Sequence, residues 1–142
     1  MSFVNTVEII GDEALSASII DRSITRIADN IATKIGSSAF YGCTALTEVN
    51  LPAVTSLENN AFRNTAVTAA ILRGATMCAL ANTYAFMGTP IASGTGYIYV
   101  PAALVDSYKA ATNWSTYAAQ FRALEDYTVD GTTTGELDPT KI

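Results

Sequence analysis

Histidine is absent from the 142 residues, and cysteine occurs only twice. Without an imidazole, the usual Ser-His-Asp and Cys-His nucleophile arrangements cannot form, and neither can the common histidine-containing zinc sites. Cys43 and Cys78 lie far apart and form no Cys-x-x-Cys motif, so we expect buried free thiols rather than a disulfide framework. The sequence therefore predicts a protein that is not an enzyme and that binds no metal or cofactor.

Positive charge and long apolar runs are also scarce. Eight lysines and arginines, scattered singly, stand against thirteen acidic residues, which gives a net charge of −5. Because nucleic-acid affinity depends on basic side chains that neutralise phosphates, we expect no nucleic-acid partner. The apolar runs are far shorter than the roughly 20 residues of a membrane helix, and residues 1–10 lack the basic start and apolar stretch of a signal peptide. We therefore expect neither membrane insertion nor a secretion signal.

A repeat is what the sequence does contain. The dipeptide Ala-Phe occurs three times, at residues 39-40, 61-62 and 85-86. Ile35 and Leu57 each precede a repeat phenylalanine by the same interval, and an apolar β-compatible segment follows. Residues 24–27 match residues 46–49, which predicts a partial coil that begins near Ser23. Chance would explain a recurring dipeptide in an alanine-rich chain, but it does not explain the accompanying positions.

A coil of this length cannot bury its own apolar side, so successive coils must stack. One interior column is expected from the repeat phenylalanines, Phe40, Phe62 and Phe86. A second is expected from Val49, a residue near Ala70 or Ile71, and Ile98. Stacked segments of this second column would form a parallel sheet with about 4.8 Å between coils. The sequence therefore predicts a short repeat β-solenoid of about four coils.

The segment from Ile35 to Pro52 reads Ile-Gly-x-x-Ala-Phe-x-x-Cys-x-x-Leu-x-x-Val-x-Leu-Pro. It closely resembles the BspA-like leucine-rich repeat, and the resemblance covers residues 22–126. The second copy departs from it, because it lacks one residue after Thr65 and has no proline at its strand end. The resemblance implies a right-curving solenoid. It also implies a role like that of the family's bacterial surface adhesins, or of the similar arrays in phage and prophage structural proteins.

The chain divides into four predicted segments. Residues 1–21 are an N-terminal docking or capping segment, residues 22–101 the leucine-rich repeat solenoid, residues 102–127 a C-terminal α-helical cap, and residues 128–142 a polar tail. The first cap helix should bury Leu104, Tyr108 and Ala111, and the second Trp114, Tyr117, Phe121 and Leu124. The tail is expected to be extended, and ordered only where another chain holds it.

Two surfaces are candidate binding sites. With a gap after Thr65, the outward strand positions align as two columns, Glu48, Ala69 and Tyr97 in one and Asn50, Ile71 and Tyr99 in the other. Ile71, Tyr97 and Tyr99 would then form an exposed apolar patch, which is typical of a partner surface. A later gap would instead place Ile71 in the interior and leave two exposed tyrosines.

The second candidate is the β-compatible docking segment, with the apolar residues Phe3, Val4, Val7, Ile9 and Ile10. Its unpaired backbone could join a partner sheet, or it could simply cover the first coil.

From these features we expect a non-enzymatic interaction and adhesion module. The favoured role is a structural protein of a phage or prophage virion, whether in decoration, a fibre or host attachment. Its partners would be other virion chains, in a homo-oligomer or larger assembly, and a host surface protein or glycan. The alternative is a bacterial cell-surface adhesin of the BspA-like class.

Overall fold

The computed structural model describes residues 25–28 and 33–142. The predicted docking segment, with Phe3, Val4, Val7, Ile9 and Ile10, lies outside the described residues. In the described part of the chain, the regular structure consists of short strands and short helices. No helix within these residues is long and apolar enough to cross a membrane.

The strands form two parallel sheets, a five-stranded sheet in the order β1-β3-β5-β7-β8 and a three-stranded sheet in the order β2-β4-β6. The strands of the larger sheet are β1 (Arg26–Ala28), β3 (Glu48–Asn50), β5 (Ala69–Ile71), β7 (Tyr97–Val100) and β8 (Phe121–Ala123). Those of the smaller sheet are β2 (Lys34–Ile35), β4 (Ser56–Leu57) and β6 (Ala79–Leu80). Because the chain alternates between the sheets from β1 to β7, it winds as a repeat solenoid.

The strand register is the one that the repeat predicts. Ile27 pairs with Val49, Val49 with Ala70, and Ala70 with Ile98. Each of these four side chains is buried. The predicted interior column is therefore confirmed, with Ala70 rather than Ile71 in the second copy.

The phenylalanine column is also confirmed. The ring centroids of Phe40 and Phe62 are 5.4 Å apart, and those of Phe62 and Phe86 are 5.6 Å apart. All three rings are fully buried. Backbone bonds join the same turns, because the Phe40 N–H donates to the Ala61 carbonyl at 2.9 Å and the Phe62 N–H to the Ala85 carbonyl at 2.8 Å.

The turn after each phenylalanine requires a left-handed residue. Gly42, Asn64 and Gly88 occupy this position, with φ of 76°, 59° and 76°. Glycine adopts this backbone conformation without a Cβ penalty, and asparagine tolerates it better than most residues. The three copies therefore share the same turn conformation at this position, although the residue is glycine in two of them and asparagine in the third.

The smaller sheet was not predicted. Its interior residues are Ile35, Leu57 and Leu80, all buried. They lie in strands of two residues each, too short for the alternation of polar and apolar positions that indicates a strand.

The C-terminal region differs from the predicted pair of helices. It contains one α-helix of six residues, α2 (Val105–Ala110), after the four-residue helix α1 (Pro90–Ser93). Four 3₁₀ helices complete the helical elements of the described residues, at Thr83–Phe86, Ala102–Leu104, Trp114–Gln120 and Leu124–Asp126.

The prediction that Trp114, Phe121 and Leu124 share one helix is wrong. Phe121 begins the strand β8, which pairs with β7 and extends the larger sheet. The backbone becomes extended at Phe121 (φ −77°, ψ 139°) and places its ring on Tyr108 and Trp114. Leu124 contacts a separate apolar cluster on the other face of the sheet.

The C-terminal elements bond to the backbone of the last coil. The Trp114 indole Nε1 donates to the Cys78 carbonyl at 2.7 Å, and the Cys78 N–H donates to the Tyr108 hydroxyl at 2.6 Å. The Asn113 side chain donates to the Leu80 carbonyl at 2.8 Å. Backbone groups beside and within β6 thereby find hydrogen-bond partners, and those of Cys78 are buried.

Candidate interaction surfaces

The outer face of the larger sheet carries the two predicted columns in the predicted register. Glu48 pairs with Ala69 and Ala69 with Tyr97, while Asn50 pairs with Ile71 and Ile71 with Tyr99. The one-residue gap therefore falls after Thr65, and the alternative with Ile71 in the solenoid interior is wrong.

The expectation that Ile71 and Tyr99 form an exposed patch is also wrong. Ile71 is 1% exposed and Tyr99 is 2% exposed. They form an apolar cluster on the outer sheet face with Ala69 and Leu124, and Tyr97, Tyr127 and Leu137 pack against it. Because Leu137 belongs to the C-terminal tail, the chain itself covers much of the proposed partner surface.

Residues 128–142, here called the C-terminal strap, fold back onto this face. Thr128 and Leu137 form an antiparallel bridge, and the Val129 N–H donates to the Glu136 carbonyl at 2.9 Å. Arg73 Nη1 donates to the Thr133 carbonyl at 2.6 Å. The expectation of an extended tail ordered only by another chain is therefore wrong, because one apolar side chain and an arginine within the chain hold it.

Two aspartate side chains of the strap accept hydrogen bonds within its turns. Asp130 Oδ1 accepts from the N–H and hydroxyl of Thr132, and Asp138 Oδ1 accepts in the same way from Thr140. These hydrogen bonds lower the pKa of both carboxyl groups. In residues 25–28 and 33–142, no three histidine, cysteine or acidic side chains gather as a metal site would require.

The uncovered part of the sheet face is polar. Arg26 Nη2 lies 2.9 Å from Glu48 Oε2, and Arg73 Nε donates to Asn50 Oδ1 at 2.8 Å. These residues line a hollow of about 200 Å³ together with Ile71, Glu136 and Leu137. The predicted site residues Glu48 and Asn50 are thus already engaged with arginines of the same chain.

Both cysteine side chains lie in the interior. Cys43 and Cys78 are buried and form no disulfide within the described residues, as predicted. Burial raises the pKa of Cys78 to about 12, which keeps the thiol protonated at neutral pH.

The most exposed aromatic surface lies on the turns beside the phenylalanine column. The Arg63 guanidinium carbon lies 5.9 Å from the ring centroid of Tyr41 and 5.7 Å from that of Tyr84. Tyr84 is 48% exposed and Met87 is 37% exposed. These four residues, with Asn60 and Asn64, are here called the turn surface.

A hydrogen bond orients the Arg63 side chain, but no ion pair among the described residues neutralises its charge. Its Nη1 donates to Asn60 Oδ1 at 3.3 Å, while its Nε is buried and has no hydrogen-bond partner. The ion pair found among the described residues is Arg26 with Glu48, so no carboxylate of these residues pairs with Arg63. A partly exposed cation near two rings, without a carboxylate partner among the described residues, is a candidate binding group.

Asparagine side chains border these rings. Asn64 Nδ2 donates to the Tyr41 hydroxyl at 3.5 Å, and Asn82 Nδ2 donates to Asn59 Oδ1 at 2.9 Å. The backbone N–H of Tyr84 donates to Asn82 Oδ1, which holds the start of the 3₁₀ helix that carries Tyr84.

The turn surface escaped prediction because its members occupy different repeat positions. Tyr41 and Arg63 each follow a repeat phenylalanine, whereas Tyr84 precedes Phe86 by two residues. The available signal was the shared position of Tyr41 and Arg63, which puts an aromatic ring and a cation on adjacent coils.

Comparison with known proteins gives one family. The sequence profile of the BspA type leucine rich repeat region matches residues 1–92 in six copies. This range includes residues 1–21, and the boundary proposed at residue 22 stays a prediction. No curated protein matches the chain at a significant level. Since the match covers more than half of the chain, and the described part winds as a repeat solenoid, the protein belongs to the BspA type leucine rich repeat family.

Proposed function

We propose that the protein is a non-enzymatic interaction and adhesion module that binds its partner through the turn surface. The observation that carries this proposal is the placement of the Arg63 guanidinium between Tyr41 and Tyr84 without an ion-pair partner among the described residues. Tyrosine and arginine are enriched among the residues that dominate binding energy at interfaces. Their side chains stand here on turns that backbone bonds fix from coil to coil.

Binding to the source organism's envelopes and particles tests this role. Labelled wild-type protein is compared with Arg63→Ala and with Arg122→Ala on purified cell envelopes and on phage particles induced from the same strain. Arg122 is the matched control because it also lies over a tyrosine, 4.4 Å from the Tyr97 ring centroid, but its Nη1 already donates to two carbonyls.

We expect Arg63→Ala to lower the apparent affinity at least about tenfold, since a lost hydrogen bond to a charged group costs roughly 1.5–3 kcal/mol. Arg122→Ala should bind as the wild type does. Equal binding by all three proteins would remove the turn surface from the function.

The favoured setting is a phage or prophage virion, with the chain in decoration, a fibre or host attachment. The alternative, a bacterial cell-surface adhesin, has comparable support, because the family resemblance extends to both. Mass spectrometry of purified particles and of washed envelopes distinguishes the two. Recovery with particles alone supports the virion role, whereas recovery with envelopes alone supports the adhesin.

Within either setting, we propose that residues 1–21 dock the chain onto other structural chains of a larger assembly or homo-oligomer. The basis is the apolar, β-compatible sequence of Phe3, Val4, Val7, Ile9 and Ile10. Deletion of residues 1–11 should leave a cooperatively folding solenoid that no longer joins the assembly. Loss of folding would instead assign these residues to capping.

At the other end, we propose that residues 102–127 cap the solenoid. Support comes from the bonds of Tyr108, Asn113 and Trp114 to the last coil. A chain that ends at Val100 should aggregate or lose cooperative unfolding, because it leaves an open coil and an unpaired strand. A soluble truncation with a sharp unfolding transition would show that these residues are dispensable.

A further inference from the structure

The turn surface combines three kinds of chemistry that together fit one class of ligand. It offers aromatic rings, amide side chains and one cation, from Tyr41, Tyr84, Asn60, Asn64 and Arg63. We infer that the turn surface binds a saccharide that bears a carboxylate. This inference rests on the proposed function of the same surface and names its ligand.

Arg63 provides the reason for a carboxylate. Two rings hold the guanidinium, so less side-chain freedom is lost when it binds than for an unrestrained arginine. No acidic side chain in the described part of the chain forms an ion pair with it. Because Nε is buried, a carboxylate would accept N–H donors of Nη1 and Nη2 with its two oxygens.

The surroundings of Arg63 favour a sugar over an acidic peptide. Tyr84 exposes nearly half of its surface beside the guanidinium, and a flat ring of this kind offers an apolar face to the C–H side of a sugar ring. The amides of Asn60 and Asn64 can both donate to and accept from hydroxyl groups.

A neighbouring hollow extends the surface. It has a volume of about 240 Å³, and Thr83, Met87, Thr116 and Gln120 are among the residues that line it. It is smaller than the roughly 300–1,000 Å³ of pockets that enclose drug-sized ligands. Because Met87 belongs to both the hollow and the turn surface, a sugar ring next to the charged one could rest there.

The test measures binding of defined oligosaccharides to the full-length protein by isothermal titration calorimetry and by NMR. The acidic probes are tetragalacturonate and 3′-sialyllactose, which separate uronic from sialic acids. Fully methyl-esterified tetragalacturonate and lactose retain sugar rings without the carboxylate. A tetraglutamate peptide represents the acidic-peptide class.

We expect at least one acidic saccharide to bind, with at least about tenfold weaker binding of its uncharged counterpart. Arg63→Ala should weaken binding at least about tenfold, Tyr84→Ala should weaken it less, and Arg122→Ala should leave it unchanged. The melting temperature of each variant shows that it is folded under the conditions of the titration.

Four outcomes overturn the inference. They are equal binding of charged and uncharged saccharides, preference for tetraglutamate, equal loss of binding in folded Arg63→Ala and Arg122→Ala, and no saccharide binding at millimolar concentration. If Arg63→Ala still loses binding to envelopes or particles while no saccharide binds, the proposed function stands and the saccharide assignment alone fails.

Discussion

The rings of Phe40 and Phe62 are parallel to within 3°, with their centroids 5.4 Å apart. Phe62 also stacks on Phe86, so it contacts a ring on each side. Replacement of Phe62 by alanine removes the middle of the column and should lower the free energy of unfolding by about 3–5 kcal/mol. Urea denaturation followed by circular dichroism measures this change.

The control for Phe62 is the exposed Tyr84. Tyr84→Ala should cost less than about 1 kcal/mol, since its ring is partly in water and its contact with Arg63 is a surface one. Similar losses in the two variants would mean that the stacked column does not dominate stability.

Alkaline pH should unfold the protein, because burial raises the pKa of Cys78, Tyr99 and Tyr108 to about 12 each. In the unfolded chain the thiol releases its proton near pH 9 and the tyrosines near pH 10. Between these values and pH 12, deprotonation therefore favours the unfolded state. Each group should contribute a fall in stability of up to about 1.4 kcal/mol per pH unit.

The variant Tyr108→Phe isolates the contribution of Tyr108 deprotonation to the loss of stability at alkaline pH. The variant should be less stable at pH 7, because the Cys78 N–H loses its acceptor. Its stability should nevertheless decrease less steeply from pH 10 to 12 than that of the wild type. Equal slopes in denaturation measured across this range would exclude Tyr108 from the alkaline transition.

Leu137 gives the C-terminal strap its apolar contact with the outer sheet face, beside the hydrogen bond from Arg73. Leu137→Ala should lower stability by about 1 kcal/mol, less than a fully buried leucine, because Leu137 is only partly buried. It should also increase hydrogen exchange in residues 128–142 and the binding of a hydrophobic dye to the Ile71 and Tyr99 region. Val129→Ala is the control, because Val129 is 58% exposed and should change neither measurement.

Comparison of the stabilities of Gly88→Ala and Gly94→Ala tests the turn geometry. Both have positive φ, but a Cβ at Gly88 would clash with Asn64 Oδ1, whereas one at Gly94 would meet nothing within 4 Å. Both alanine variants should lose about 1 kcal/mol through backbone strain. Gly88→Ala should lose more, and thermal unfolding measures the difference. Equal losses would mean that Asn64 moves aside freely.

The interior residues of the solenoid could be predicted because equivalent positions in successive repeats are separated by nearly the same number of residues. Phe40 and Phe62 are 22 residues apart, and so are Ile27 and Val49. In the structure, Ile27 and Val49 are paired residues on adjacent parallel strands. One missing residue shifts the second copy, so the sequence left open whether Ala70 or Ile71 is interior, and the strand register assigns Ala70. The repeat therefore identified interior positions that the polarity pattern of such short strands does not identify.

The strap and the turn surface were less accessible to prediction. Leu137 is one of three large apolar residues in a polar segment, and it packs against a cluster that includes the sequence-distant residues Ile71 and Tyr99. β8 was missed because the spacing of Trp114, Tyr117, Phe121 and Leu124 also fits a helix. In each case a contact between remote segments decided the local structure.

The backbone bonds between neighbouring turns have an evolutionary consequence. Because the Phe40 and Phe62 amides fix the distance between coils, that distance does not depend on which side chains point outward at Tyr41 or Arg63. Mutation at these positions can therefore change the chemistry of the proposed turn surface while the supporting geometry is inherited unchanged. Such a surface can diversify one residue at a time without a new fold.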